Sequence, residues 1–234
     1  MPSDLALITG ATKGVGRAVA LSLASQDITL LITGRDKHDL QSLKEDIEAQ
    51  NGSSDYVVAD LNEPAAFEHL TDAISSQAKP LRLLVHSAGI AKVGKISSMP
   101  LREWQENLAV NLTAPFYLSQ KCLPFMPPGS SVVFINSVAG KTSFPEWAAY
   151  SAAKAGLAAL ADALRLEVQA QGIKVISIFP TSVDTLLHDK LPFNWDRSNM
   201  LTAKQVADIV KFCYLQPDKV MLKNVEVANI AGTF

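Results

Sequence analysis

The chain alternates short apolar stretches with longer amphipathic ones from one end to the other. The apolar stretches have the length of strands, and they are "LALIT", "ITLLIT", "DYVVAD", "LRLLVHSAG", "SVVFINS", "KVISIFP" and "VEVANI". Between them lie segments of helical length: Gly14 to Ser25, His38 to Gln50, Pro64 to Ala78, Pro100 to Met126 in more than one piece, Ala149 to Gln171 and Thr202 to Gln216. This periodicity predicts strands and helices in regular alternation.

The predicted strands are apolar on both faces, which is typical of a parallel sheet covered by helices on each side. Together with the alternation of strand and helix, this predicts the α/β class, with a doubly wound parallel sheet of about seven strands. No internal repeat or shift in composition marks a boundary, and an apolar strand resumes directly after the Pro-rich "LPFMPPGSS". Residues 1–234 are therefore expected to form a single domain.

The composition narrows the classes of function. The chain is 48% hydrophobic and 19% charged, and its formal net charge of -2 gives no support for a nucleic-acid partner. No apolar run approaches the ~18 residues that a membrane span requires, and "MPSDLALITG" lacks the basic region and cleavage site of a signal peptide. We expect a cytoplasmic protein without a membrane or nucleic-acid partner.

The cysteines and histidines show no pattern that would bind a metal. Cys122 and Cys213 stand far apart without a C-x-x-C partner, so we expect two buried thiols in a reducing compartment. The four histidines have no ligand spacing either. The sequence therefore predicts no metal site.

A glycine-rich turn, "GATKGVG", follows the first strand and precedes the first helix. In a doubly wound sheet this junction binds a nucleotide, because the helix N-terminus offers unpaired N–H groups and partial positive charge. Gly10, Gly14 and Gly16 would let the chain turn tightly and let a pyrophosphate approach the backbone. Their spacing, G-x-x-x-G-x-G, differs from the commoner G-x-G-x-x-G, and the strand and helix around it supply the confirming context.

The turn after the second strand favours NADP(H) over NAD(H). NAD-binding proteins place an acid there to hold the ribose hydroxyls, whereas this chain has Gly34 followed by Arg35. Arg35 and Lys13 together suit a 2'-phosphate dianion. Two alternatives stay open: Asp36 reaches the ribose instead, or Arg35 and Lys13 are solvated loop charges. Asp60, at the end of "DYVVAD", either accepts a hydrogen bond from the adenine amino group or caps the next helix.

Tyr150 and Lys154 stand four residues apart in "AAYSAAKAGL", so they share one face of a helix. A free phenol titrates near pH ~10, and a neighbouring ammonium favours the phenolate. We therefore predict that Lys154 lowers the pKa of Tyr150 toward neutrality and makes it a proton donor and acceptor. The pair is not specific by itself.

Taken together and in order, these features resemble the short-chain dehydrogenase/reductase family over nearly the whole chain, in its NADP(H)-dependent carbonyl reductase type. The matching elements are T-G-x-x-x-G-x-G at Thr9 to Gly16, "HSAG" as a variant of N-N-A-G, Asn111 in "VNLTAPF", Ser137 in "VVFINSVAG", "YSAAK" thirteen residues after that serine, and "PTSVDT". The resemblance implies a Rossmann-like fold and hydride transfer between a nicotinamide and a carbonyl group.

The resemblance also implies a catalytic tetrad. Tyr150 would protonate the carbonyl oxygen and act as the base in the reverse direction, while Ser137 would hydrogen-bond the same oxygen. Lys154 would hold the nicotinamide ribose hydroxyls, and Asn111 would support a water that links the lysine to solvent. Pro115 has no N–H to offer the Asn111 carbonyl in a helix, so that carbonyl is expected to be freed for a water.

The cofactor contacts that the resemblance implies come from several turns. They are Gly10, Thr12, Lys13, Gly14, Val15, Gly16, Arg35, Asp60, Leu61, Ser87, Ala88, Gly89, Tyr150, Lys154, Pro180, Thr181, Val183 and Thr185. Two positions depart from the family pattern. "HSAG" replaces both asparagines of N-N-A-G, and Thr181 stands where the family usually has glycine after Pro180.

Substrate specificity is expected to lie near the tetrad and in a substrate loop over residues 181–202. An apolar, partly aromatic pocket for a hydrophobic ketone or aldehyde would be formed by Ser137, Phe144, Trp147, Leu186, Leu187, Phe193 and Trp195. In the alternative interpretation Phe193 and Trp195 only pack the loop against the body of the protein.

The leading interpretation is an NADPH-dependent carbonyl reductase that is reversible as an alcohol dehydrogenase. The alternatives are a 3-ketoacyl-carrier-protein reductase, which would need a basic patch formed by residues such as Lys92, Lys95, Arg102 and Lys141, and a catalytically silent NADPH sensor. Because Trp104, Leu108, Leu112 and Phe116 form an apolar helical stripe of the kind that lies in family interfaces, a homotetramer or homodimer is expected.

Overall fold

The computed structural model describes residues 3–193 and 196–230. Its strands are β1 (Asp4–Ile8), β2 (Ile28–Gly34), β3 (Ser53–Val58), β4 (Leu81–His86), β5 (Ser131–Ile135), β6 (Lys174–Pro180), β7 (Val183–Asp184), β8 (Leu201–Thr202) and β9 (Asn224–Val227). Seven of them form one parallel sheet in the order β3-β2-β1-β4-β5-β6-β9. The predicted class and strand number are confirmed.

The helices cover both faces of the sheet. They are α1 (Gly14–Leu23), α2 (Lys37–Glu48), α3 (Ala65–Ser76), α4 (Leu101–Leu108), α5 (Ala114–Cys122), α6 (Ala148–Val168) and α7 (Ala203–Tyr214). One core joins the sheet to α1, α2 and α7, and a second joins it to α3, α5 and α6. Strand β1 serves both cores, because Ala6 and Ile8 pack in the first and Leu5 and Leu7 in the second. Alternate side chains are therefore buried on opposite faces, which explains the unbroken apolar runs.

The predicted segment Pro100 to Met126 is in more than one piece, as expected. A π-helical turn, Ala109–Thr113, separates α4 from α5, and the N–H of Ala114 donates to the carbonyl of Ala109. Pro115 follows directly and has no N–H for the α-helical pattern. A π-turn of this kind is frequent at functional sites, and Asn111 is its central residue.

Both cysteines are buried, as predicted, and burial raises the pKa of Cys122 to about 12 and that of Cys213 to about 11. No helix in the described part of the chain combines the length and the apolarity that crossing a bilayer would need. The strand order reverses between β1 and β4, and a doubly wound sheet has its binding crevice at the carboxyl ends of the strands at such a point.

Candidate active site

A cavity of about 980 Å³ opens at the carboxyl ends of the strands, where β1 and β4 diverge. Of the residues that the sequence assigned to the cofactor, those that line it are Gly10, Thr12, Lys13, Gly14, Val15, Arg35, Asp60, Leu61, Ser87, Ala88, Gly89, Tyr150, Lys154, Pro180, Thr181, Val183 and Thr185. Gly16 does not line the cavity and lies beneath the turn instead. The fold thus brings turns that are far apart in sequence to one cavity.

The glycine turn after β1 is pressed against the turn after β4. Gly10 has φ +63, and a Cβ atom there would lie 2.6 Å from the Cα of Ala88. A Cβ atom on Gly16 would lie 2.3 Å from the carbonyl oxygen of Gly10. The Thr9 hydroxyl accepts hydrogen bonds from the N–H groups of Ser87 and Ala88, each at 3.1 Å. Only glycine permits this packing, which leaves the backbone of the turn accessible to a pyrophosphate.

The charged groups near the predicted 2'-phosphate position differ in the partners that they contact. The Asp36 carboxylate caps α2 by accepting from the N–H of Asp39 at 3.1 Å, so it already has a structural role. Lys13 lies 3.0 Å from a carboxylate oxygen of Asp39. Within residues 3–193 and 196–230, Arg35 makes no ion pair, and it is exposed at the cavity. The cradle of glycines fits the pyrophosphate of a nicotinamide dinucleotide, and Arg35 and Lys13 line the same cavity.

Asp60 lines the same cavity and orders its own turn. Its carboxylate accepts from the backbone N–H and the side-chain amide of Asn62, both at 3.0 Å. Helix α3 begins only at Ala65, with Pro64 at its N-cap. Asp60 therefore stabilises the turn between β3 and α3 rather than the helix end itself.

Tyr150 and Lys154 lie on α6 as predicted, and both are buried beside Ser137 in the cavity. The ammonium of Lys154 donates to the carbonyl of Ile135 at 2.9 Å and lies 5.7 Å from the centre of the Tyr150 ring. Ser137 is near enough to Tyr150 to act on the pKa of its hydroxyl. Gly156, on the same helix, lets Leu112 pack closely, because a Cβ there would lie 2.8 Å from Leu112 Cδ2.

The predicted direction of the Tyr150 pKa is wrong. Burial raises the pKa of Tyr150 to about 12, and the hydrogen bond to Ser137 opposes that rise. Lys154 is itself desolvated, and burial lowers its pKa to about 8. Spacing in sequence placed the two side chains on one face of α6, but it gave no measure of how completely water is excluded from them.

The hydroxyl of Ser137 is oriented by the turn that follows β5. Its oxygen accepts from the N–H of Ala139 at 3.1 Å, which leaves the hydroxyl proton for another acceptor. Asn136 accepts from the N–H of Ser137 at 2.9 Å. Two hydrogen bonds therefore fix both the backbone and the side chain of Ser137.

Asn111 is fully buried and does not line the cavity. Its side-chain amide accepts from the N–H of Ile90 at 3.2 Å and donates to the carbonyl of Ile90 at 2.9 Å. Sequence reasoning missed Asn107, one helical turn earlier, which makes the same pair of bonds to Lys92 at 3.3 and 3.0 Å. The two asparagines hold the segment after β4 against α4 and the π-turn, and the spacing N-x-x-x-N was the signal for it.

The predicted substrate residues divide into those in the cavity and those outside it. Ser137, Phe144, Trp147, Leu186 and Leu187 line the cavity, and the Trp147 ring lies 5.4 Å from the Tyr150 ring. Phe193 is not at the cavity wall and stacks on Trp147 at 6.2 Å, as in the packing interpretation. Trp195 lies outside the described residues.

The cavity as a whole is not lined by apolar residues alone. Lys92, Glu106 and His188 also line the cavity. They were missed because they come from α4, the segment after β4 and the substrate loop, which only the fold brings together. The pocket therefore combines apolar walls with charged groups.

The loop over residues 181–202 is closed at its base. Strands β7 and β8 pair in parallel, with Val183 opposite Leu201. Arg197 forms ion pairs with Asp184 and Asp189 across the loop. Neither contact was predicted from the sequence, and together they hold the loop that brings Leu186 and Leu187 to the cavity.

The two departures from the family pattern have local structural partners. His86, the first residue of "HSAG", stacks on Phe134 at 4.8 Å and lies 2.9 Å from the Ser119 hydroxyl through Nε2. The pKa of His86 is lowered to about 3, mainly by burial and to a smaller extent by the positive charge of Lys154. The N–H of Thr181 donates to the carbonyl of Val227 at 2.9 Å, so this backbone is tied to β9.

In the described ranges there is no cluster of three or more His, Cys, Asp or Glu side chains suited to a metal.

Comparison with known proteins agrees with this geometry. The sequence profile described as short chain dehydrogenase matches residues 4–193, which is most of the chain. An uncharacterized oxidoreductase from Staphylococcus epidermidis is 29% identical over 228 residues, covering 97% of each chain. Sepiapterin reductase from Chlorobaculum tepidum is 26% identical over 235 residues, covering 97% of this chain and 96% of that protein.

Solved structures share the fold. An alcohol dehydrogenase from the archaeon Thermococcus sibiricus, complexed with 5-hydroxy-NADP, superposes with a TM-score of 0.91 at 19% identity. The match covers 98% of this chain and 97% of that one.

Proposed function

This chain belongs to the short chain dehydrogenase family of oxidoreductases acting on CH–OH groups, and we propose that it is an NADPH-dependent reductase of ketones or aldehydes, reversible as an alcohol dehydrogenase. One observation carries the proposal. A single cavity contains both the glycine turn after β1 and the hydroxyls of Ser137 and Tyr150. A nucleotide held at the first would present its nicotinamide end to the second.

In the proposed mechanism the bound nicotinamide supplies the hydride. Tyr150 holds the proton that the carbonyl oxygen receives, and a pKa of about 12 keeps its hydroxyl protonated at neutral pH. Ser137 donates to the same oxygen, because its own oxygen already accepts from Ala139. Lys154, fixed by Ile135, holds the ribose hydroxyls and offsets the charge that forms on Tyr150.

The proposed roles of the remaining residues follow their positions. Asn111 holds Ile90 at the cavity wall, and the π-turn around Asn111 is where a water linking Lys154 to solvent would bind. Lys13 and Arg35 bind the 2'-phosphate, which favours NADPH over NADH. Residues 181–202 form the substrate loop of a single domain that spans the chain.

The alternatives have less support. A carrier-protein reductase would need a basic patch, but the charge of Lys141 is offset by its contact with Glu226. A silent NADPH sensor would have no use for Ser137, Tyr150 and Lys154 together in one cavity. We keep a homodimer or homotetramer as a prediction, supported by the exposed Phe116 on the predicted stripe.

The test is NADPH consumption by wild type and by Tyr150→Phe across aryl ketones, diketones and a 3-ketoacyl thioester. Loss of general acid catalysis should lower kcat about 10²- to 10⁴-fold while NADPH still binds. Tyr117→Phe, on the exposed side of α5, is the matched control and should be unchanged. Binding of NADPH by the wild type with no turnover of any substrate would favour the sensor, and equal activity of Tyr150→Phe would contradict the mechanism.

A further inference from the structure

The cavity is lined by a cation, Lys92, that the proposed chemistry does not use. Its ammonium lies 4.0 Å from a carboxylate oxygen of Glu106. That separation is too long for a hydrogen bond, so the three N–H donors of Lys92 are not committed to Glu106. Arg102 lies 3.7 Å from the other oxygen of the same carboxylate. Two cations share one anion, and the group keeps a net positive charge.

The backbone of Lys92 is held in place although its side chain is half exposed. Asn107, which is fully buried, accepts from the N–H of Lys92 and donates to its carbonyl. The Asn107 amide also donates to the carbonyl of Glu103 at 3.0 Å, so the anchor is fixed within α4. The position from which the Lys92 side chain extends is therefore set, and only its own dihedral angles vary.

The segment that carries Lys92 is joined to the aromatic wall of the cavity. The N–H of Gly94 donates to the carbonyl of Glu146 at 2.7 Å, which joins the Lys92 segment to the residue before Trp147. Trp147 is in turn in edge contact with Tyr150. A substrate whose carbonyl lies at Tyr150 would thus pass apolar walls and end near Lys92.

We propose that Lys92 binds a carboxylate at the far end of the substrate, so that the enzyme acts on oxo acids and their hydroxy acid products. The proposal rests on the proposed function, because it places the reacting carbonyl at Tyr150. A single ammonium, partly offset by Glu106, suits a monoanion better than a phosphate dianion. The apolar walls formed by residues such as Phe144 and Leu186 suit the hydrophobic segment between the two groups.

The experiment compares 4-oxo-4-phenylbutanoate with its neutral methyl ester, using NADPH and four variants. Lys92→Met should lower kcat/KM for the acid about 10- to 100-fold, the effect of losing a hydrogen bond between charged groups, and leave the ester unchanged. Lys92→Arg should retain the preference for the acid. Glu106→Gln removes the competing carboxylate and should increase the preference for the acid over the ester. Lys95→Met, an exposed lysine of the same segment outside the cavity, is the matched control.

Equal kcat/KM for acid and ester in the wild type would overturn the proposal, as would equal losses in Lys92→Met and Lys95→Met. If neither ketone is reduced, that result counts against the proposed function and not against the role of Lys92. Binding of the acid then tests the role of Lys92. Saturation-transfer NMR of the acid on the enzyme–NADPH complex then supports it if the signal disappears in Lys92→Met and overturns it if the signal persists.

Discussion

The ammonium of Lys154 lies 5.7 Å from the centre of the Tyr150 ring, and burial shifts the pKa values of the two groups in opposite directions. Water is excluded from both, and each neutral form is favoured. Tyr150 therefore keeps its proton up to a pKa of about 12, whereas Lys154 loses its charge near pH 8. Near neutral pH, Tyr150 therefore holds a proton that it can donate, and Lys154 carries a positive charge beside it.

The reductase activity should consequently fall in alkaline solution. As pH rises through about 8, Lys154 becomes neutral and no longer offsets the negative charge that forms on Tyr150. We expect kcat/KM for reduction to decrease about tenfold per pH unit above that value, measured by NADPH consumption from pH 6 to 10. In Lys154→Arg, whose side chain stays charged, any residual activity should show no such decrease. A flat wild-type profile to pH 10 would rule out this role for the lysine charge.

The choice of cofactor should depend on Arg35. A charge-assisted bond to the 2'-phosphate contributes about 1.5–3 kcal/mol, so Arg35→Ser should raise the KM for NADPH about 10- to 100-fold and leave the KM for NADH unchanged. Lys37→Ser is the control, because Lys37 is exposed two residues later and does not line the cavity. A parallel rise in both KM values would show that Arg35 has only a structural effect.

The glycine turn should tolerate no side chain at Gly16. The Cβ of alanine would overlap the Gly10 carbonyl at 2.3 Å, so the turn must move. We expect Gly16→Ala to weaken NADPH binding and to lower the free energy of unfolding by about 1–3 kcal/mol. Gly94→Ala is the matched control, since the nearest atom, Met99 Cε, would be 3.9 Å away. Titration calorimetry and urea unfolding measure the two effects, and equal stability of both variants would contradict the expectation.

His86 should make the fold sensitive to acid. Its pKa in the folded state, about 3, lies below the usual histidine value of 6.5, so only the unfolded state binds the proton between those two pKa values. Stability is therefore complete above pH 6.5 and decreases as pH falls, by about 2 kcal/mol from this group between pH 7 and 5.

Urea unfolding at pH 7 and pH 5 tests this sensitivity. His86→Asn should remove the loss of about 2 kcal/mol in the free energy of unfolding between pH 7 and 5. His69→Asn, at an exposed position on α3, should retain that loss. An unchanged decrease in His86→Asn would mean that other groups cause the acid sensitivity.

Much of the fold was predictable because strand and helix patterns are local. The strands from "LALIT" to "VEVANI" and the main helices lie close to their predicted bounds, since burial on two faces demands continuous apolar runs. The short β7–β8 ladder was not predictable, because two residues per strand leave no periodicity. The sequence predicted that the segment from Pro100 to Met126 is in more than one piece, but it did not predict the π-helical form of the break around Asn111.

The sequence by itself determined the order of elements, the glycine turn and the pairing of Tyr150 with Lys154 on one helix face, since all three depend on residues close in the chain. The tertiary structure alone decided the burial of that pair, and with it the direction of the Tyr150 pKa. It also decided that Asn107 anchors Lys92 at the cavity. Desolvation and long-range contacts depend on the packing of distant segments, which local sequence patterns do not encode.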